Sequence, residues 1–121
     1  MKDYEVAALL DVYGKVLTEK QRDLIDLYYN EDLSLGEIAE NRGITRQGVR
    51  DAVKRSEYVL YDLEENLGVL NRRSRLSVRF GEMQELLQKI DTENEQSCHS
   101  GPIRELLGRL KELIVRTEEE F

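Results

Sequence analysis

"SLGEIAENRGITRQGVRDAVKR", residues 34–55, carries the pattern on which the fold turns. Ser34 with Glu37 three residues on is a capping box, in which each side chain satisfies a backbone N–H of the other's turn. Ile38 and Ala39 face inward, and Gly43 ends this helix in a left-handed conformation that glycine adopts at no steric cost. Thr45 caps the next helix. Ala39 is small enough to let a second helix cross close by, and Ile38, Ile44, Val49 and Ala52 stand at offsets that lock the pair. Two short helices around a glycine corner predict a helix-turn-helix unit.

At about 100° per residue, Val49, Val53, Ser56 and Leu60 cluster on one side of the second helix, with Arg46 at the edge of the cluster. Gln47, Arg50, Asp51 and Lys54 spread over the other side. Gln and Arg near the start of such a helix reach base edges, and Arg50 or Lys54 holds phosphate. Thr45, Arg46, Gln47, Arg50, Lys54 and Arg55 are therefore the candidate nucleic-acid contacts. Asp51 lies on the same face and repels phosphate. The same residues also read as a solvated helix face with i,i+4 support.

Working outward, Val6, Leu9, Leu10 and Tyr13 predict a helix over residues 2–14. "LTEKQRDLIDLYYNE" opens on Thr18, with Gln21 completing a second capping box and Leu17 placed as a staple. Its expected buried stripe is Leu24, Ile25, Leu27 and Tyr28, with Tyr29 partly covering it. The helix begun at Thr45 is expected to run to about Asn66, with Gly68 just beyond. Past Leu70 the pattern changes. "NRRSRLSVRF" holds Arg72, Arg73, Arg75 and Arg79, an auxiliary grip on an RNA backbone or a set of partners for acids nearby or on another subunit. Leu76, Phe80, Met83, Leu87 and Ile90 follow at heptad spacing. "DTENEQSCHSG", residues 91–101, is polar and without period, and reads as a flexible loop. Pro102 suits a first helical position. Ile103, Leu106, Leu107, Leu110, Leu113 and Ile114 then form a second narrow apolar seam. The expected organisation is a helix-turn-helix domain over residues 1–70 and a helical extension over 71–121 that dimerises, all-α throughout.

Composition bounds the function. The 121 residues carry a formal net charge of -7, spread along the chain: 12 Asp+Glu against 9 Lys+Arg in residues 1–57, and 13 against 9 beyond. Long-range repulsion from polyphosphate makes any nucleic-acid contact a matter of a local patch. No apolar run approaches the ~20 residues of a membrane span. The first residues do not pattern as a secretory signal, and the lone Cys98 suits a reducing cytoplasm. Cys98 beside His99 is too small a set for a zinc site and has no third group to orient a nucleophile. Glu64–Glu65 and Glu118–Glu120 read as charge on exposed helix ends. No metal, cofactor or catalytic centre is expected.

"LTEKQRDLIDLYYNEDLSLGEIAENRGITRQGVRDAVKR" resembles region four of bacterial RNA polymerase sigma factors, and Thr45, Arg46, Val49 and Arg50 match that family's recognition-helix pattern. Gly48 and Asp51 depart from it. More closely, residues 5–75 resemble the YlxM family of small bacterial helix-turn-helix proteins, through "LTEKQ…LYY…DLSLGEIAE…TRQGV". That resemblance implies a cytoplasmic regulatory protein, without catalytic activity, tied to the signal recognition particle pathway by the position of the family's genes. Two functions follow. One is binding of DNA or signal recognition particle RNA by a homodimer. The other is an acidic protein-interaction module that contacts the particle's protein or its receptor.

Overall fold

The computed structural model describes residues 2–120. Its described residues form helices and no strand, with the order α1 (Glu5–Tyr13), α2 (Glu19–Tyr29), α3 (Leu35–Arg42), α4 (Arg46–Leu67), α5 (Val69–Glu93) and α6 (Gly101–Glu119). The chain divides into two compact units, Met1–Asn71 and Arg72–Phe121.

In the first unit α4 is the central post, packed against α1, α2 and α3. Val49, Val53 and Leu60 of α4 meet Val6 and Leu9 of α1, Leu24 and Ile25 of α2, and Ile38 of α3 in one apolar cluster. Ser56 sits in the same stripe, fully buried, and its Oγ donates to the Ala52 carbonyl at 2.9 Å. That local bond removes the penalty of a buried hydroxyl. Both capping boxes form. Thr18 Oγ1 accepts from Gln21 N–H and Gln21 Oε1 from Thr18 N–H; Ser34 and Glu37 do the same. The tyrosines of α2 exchange the expected places. Tyr29 is buried and Tyr28 is half-buried, because Tyr29 points its hydroxyl to α4. Tyr28 instead lies edge-on to Tyr29 under the Lys2 ammonium, 4.2 Å from the ring centre. Lys2 also donates to the carbonyls of Tyr28 and Leu33 and to Asp32, and so closes the C-terminal end of α2 with a cation.

One ridge of α4 carries Glu57, Tyr61 and Glu64, spaced four and three residues apart. Each joins a phenol to a carboxylate across helices. Tyr29 donates to Glu57 at 2.5 Å, Tyr61 donates to Asp3, and Tyr13 donates to Glu64 at 2.6 Å. Glu64 is thus not idle charge on a helix end, as the sequence suggested. It also accepts from Leu70 N–H and Asn71 N–H at 3.0 Å each, and the Tyr13 hydroxyl accepts from Val69 N–H at 3.1 Å. The first N–H groups of α5, which have no partner within their own helix, are satisfied by α4 and α1. Gly68, at φ 63°, makes the corner that brings them there.

These bonds fix the pH range of stability. The Tyr13 hydroxyl, then the two N–H groups, hold the Glu64 carboxyl below its usual value of 4.5. The Tyr61 hydroxyl does the same to Asp3. A depressed carboxyl stabilises the fold above its unfolded pKa and loses that contribution as pH falls through the folded value. Asp3, followed by desolvation, pushes the Tyr61 phenol from 10 to about 12, so its contribution is full below pH 10 and fades between 10 and about 12. Urea midpoints measured across pH should fall on both flanks. Glu64→Gln should flatten the acid arm and Tyr61→Phe the alkaline one; unchanged arms would show that the bonds do not form in solution.

In the second unit α5 and α6 run antiparallel around Phe80, Leu87, Leu107 and Ile114, with Leu76 at the edge. Residues 91–101, expected as a loop, are helical through most of their length: α5 reaches Glu93, and Asn94–Cys98 form a single wider π turn. The reason is Asn94, which is 3% exposed and clasps Ser100 twice, Nδ2 donating to the Ser100 carbonyl and Oδ1 accepting its N–H, both at 2.9 Å. A buried side-chain amide replaces the apolar periodicity that would have announced the helix. Ser100 caps α6 at Ile103 N–H, with Pro102 in its first turn. Lys111 Nζ pairs with Asp91 at 3.4 Å across the hairpin.

Candidate nucleic-acid interface

Positions 34–55 fold as two helices at a corner. Gly43 stands at φ 67° and ψ 33°, and its N–H and that of Ile44 both donate to the Ala39 carbonyl, ending α3. Nothing lies within 4 Å of where a Cβ at Gly43 would be, so an alanine there meets only backbone strain. Gly43→Ala should therefore cost about 1–2 kcal/mol in chemical denaturation, with the same unfolding slope. Bidentate bonds from Arg42 to Asp23, at 2.7 and 2.9 Å, pin the end of α3 to α2 and lower the Asp23 pKa.

The corner sets α4 going with its first turns outward. Thr45 Oγ1 accepts from Gly48 N–H at 2.9 Å, and a Cβ on Gly48 would stand 3.0 Å from the same oxygen. The departure from the sigma-factor pattern at this position thus keeps the cap close. Val49 is wholly buried, whereas Thr45, Arg46, Gln47, Arg50, Lys54 and Arg55 are all exposed. Arg46, Arg50 and Lys54, four residues apart, form one cationic ridge. Among the described residues none of these three, nor Arg55, enters an ion pair. Gln47 is engaged: its Nε2 donates to Asp51 at 3.0 Å.

Two grooves lie against α4, one bordering this ridge and one on the other side of the exposed face. Arg50 and Lys54 border the first, of about 310 Å³, which Glu57 and Tyr61 of the same helix also line, with Asp3, Tyr28 and Leu35 across from them. Arg55 borders the other, about 550 Å³, with Lys20, Gln21 and Thr45. Arg55 and Lys20 thus extend the positive surface towards the start of α2. Lys20 was not among the residues expected from the sequence, since it lies on a different helix with no signal of its own.

The four auxiliary arginines do not share one surface. Arg72, Arg75 and Arg79 are exposed, while Arg73 is half-buried and borders a small cavity with Leu76, Phe80 and Glu118. Cys98 and His99 stay near the turn before α6, Cys98 exposed. Among the described residues, no three His, Cys, Asp or Glu side chains are grouped to hold a metal, and no helix is long and apolar enough to cross a membrane.

A left-handed glycine corner, a buried stripe and an outward cationic ridge define a helix-turn-helix protein. Residues 1–100 match the family described as "Putative helix-turn-helix protein, YlxM / p13 like", UPF0122, and the chain belongs to that family. It is similar to the UPF0122 protein of Acetivibrio thermocellus, with 38% identity over 93% of this chain and 97% of the relative. The UPF0122 protein of Desulforamulus reducens is 49% identical over 72% of this chain and 75% of its own length. UPF0122 protein STH1464 of Symbiobacterium thermophilum is 44% identical over 75% and 86%.

Proposed function

We propose that this protein is a cytoplasmic regulator that binds nucleic acid, duplex DNA or signal recognition particle RNA, through the start of α4, acts as a homodimer and serves the signal recognition particle pathway. The observation that carries the reading is the ridge Arg46–Arg50–Lys54: three exposed cations with no ion-pair partner among the described residues, in a chain with excess acid. The nearest acids have other partners: Asp51 accepts from Gln47 on the same face, and Glu57 and Asp3, which share a groove with Arg50 and Lys54, accept from Tyr29 and Tyr61. A cationic strip left open in this way suits a polyanion. Fluorescence anisotropy with labelled particle RNA beside random duplex DNA, across a salt series, tests it. Binding that weakens steeply as salt rises is expected. A flat salt response, or no binding of either at low salt, would overturn it.

A second reading, contact with the particle's protein or its receptor, is favoured by the net charge of -7 and by Asp51, which holds Gln47 on the same face. Co-purification of the particle's protein that survives nuclease supports it; loss with nuclease supports the first.

A further inference from the structure

The hairpin of α5 and α6 buries one seam and leaves a second apolar stripe bare on each helix. On α5 it is Met83, Leu86 and Ile90, between 44% and 58% exposed. On α6 it is Ile103, Leu106, Leu110 and Leu113, between 38% and 62% exposed. Measured from the buried Phe80 and Leu107, both stripes lie about 40–120° round their helices in the same rotational sense. In an antiparallel pair, equal offsets in the same sense fall on one side, so the stripes join into a single apolar face. Monomeric proteins rarely leave a contiguous apolar face of more than a few hundred Å² in water.

The pattern of this face is its own complement. The Asn94–Ser100 clasp sets the level of the two helices. Counting seven residues away from it on each helix brings Leu87 beside Leu107, and fourteen brings Phe80 beside Ile114, the four residues of the buried cluster. By the same count Leu86 is level with Gly108. Leu86 is the midpoint of the α5 stripe, which runs Arg79, Met83, Leu86, Ile90, Glu93. Gly108 is the midpoint of the α6 stripe, Ile103 to Leu113. A two-fold axis crossing both helices at this level lays the face on a copy of itself. It sets α5 antiparallel to α5 of the copy and brings Arg79 opposite the partner's Glu93. Both residues are exposed, and among the described residues neither is in an ion pair.

We propose that this face binds a second copy of the chain in that antiparallel register, making a four-helix bundle with Leu86 at the dyad and Arg79–Glu93 pairs at its two ends. This rests on the dimer reading above, and a dimer indifferent to Leu86→Glu would sink the register alone; nucleic-acid binding is tested apart from both, since it can be present in a monomer or absent from a dimer.

Sedimentation velocity on the full chain is expected to show a dimer. Leu86→Glu and Leu106→Glu should each give a monomer whose helical circular dichroism is retained. Arg79→Glu or Glu93→Arg alone should weaken the dimer about tenfold or more, and the double exchange should restore it. With Cys98 changed to Ser, Leu86→Cys should cross-link two copies on oxidation, since only residues beside the dyad come within disulfide reach. A wild-type chain that stays monomeric up to about 100 µM would overturn the proposal. So would a dimer indifferent to Leu86→Glu, or a double exchange that restores nothing.

Discussion

Replacing Arg46, Arg50 and Lys54 together by Ala should weaken nucleic-acid binding on the order of 10²-fold at low salt. The estimate takes about 1 kcal/mol for each exposed phosphate contact and about 1.4 kcal/mol for each factor of ten. The salt dependence is the sharper signature. Each lost contact with duplex phosphate should reduce the slope of log K against log salt by about 0.9, so the triple change should remove between two and three. All three side chains are exposed and outside the ion pairs of the described residues, so their loss leaves no buried charge behind. The unfolding midpoint should accordingly move little. Asp51→Ala provides a control of opposite sign. It removes a negative charge from the face and releases Gln47 from its 3.0 Å bond, and affinity should rise several-fold. A triple variant that binds as the wild type does, with an unchanged salt slope, would remove α4 from the contact surface.

The ridge was readable in the sequence because every determinant of its direction is local. Thr45 fixes where α4 begins, and Val49, Val53, Ser56 and Leu60 fix which side is buried. The remaining angles follow from helix geometry. The capping boxes at Thr18 and Ser34 and the left-handed corner at Gly43 are local for the same reason. What escaped the sequence is what helices decide between them. Tyr28 and Tyr29 lie about 100° apart on the helix, and phase alone places Tyr28 nearer the Leu24–Ile25 stripe; the burial of Tyr29 rests on Glu57, 28 residues beyond it. Glu64 receives Tyr13 from 51 residues away. The helical turn at Asn94 has no apolar residue to mark it and depends on an amide seated against Ser100. Polar partnerships between elements leave no period in the chain.

The phenol–carboxylate ridge also bears on the acidic charge. Asp3, Glu57 and Glu64 are acceptors for Tyr61, Tyr29 and Tyr13, and they join α4 to α1 and α2 along one line. Some of the excess acid is therefore structural. Burial, reinforced by Glu57, raises the Tyr29 phenol above its usual value, which keeps the hydroxyl protonated and donating further into the alkaline range. Net charge alone is thus a poor measure of what the outer face of α4 presents to a partner.

Leu60→Ala tests how much of the first unit depends on its apolar post and how much on that polar ridge. Leu60 is wholly buried on α4, in one cluster with Val6, Leu9 and Tyr13 of α1 and Leu24 and Ile25 of α2. Truncation removes its transfer free energy and leaves a cavity between helices already joined by side-chain bonds on the neighbouring ridge, so the site collapses only partly. The expected cost is about 3–4 kcal/mol, within the usual range for a buried Leu. A unit of this size has on the order of 4–10 kcal/mol in all, so the variant should sit near its unfolding threshold at 37 °C. Glu64→Gln removes the charge but keeps one acceptor, at a half-exposed position, and should cost about 1–2 kcal/mol. Because Leu60 and Glu64 are one helical turn apart, the double variant should depart from additivity. If the polar ridge holds α1 on α4 while the apolar contact is weakened, losing both should cost more than the sum. Urea denaturation of the two single variants and the double measures this directly. A double variant that costs less than the sum would mean that the bonds to Glu64 form only when Leu60 has already placed α1.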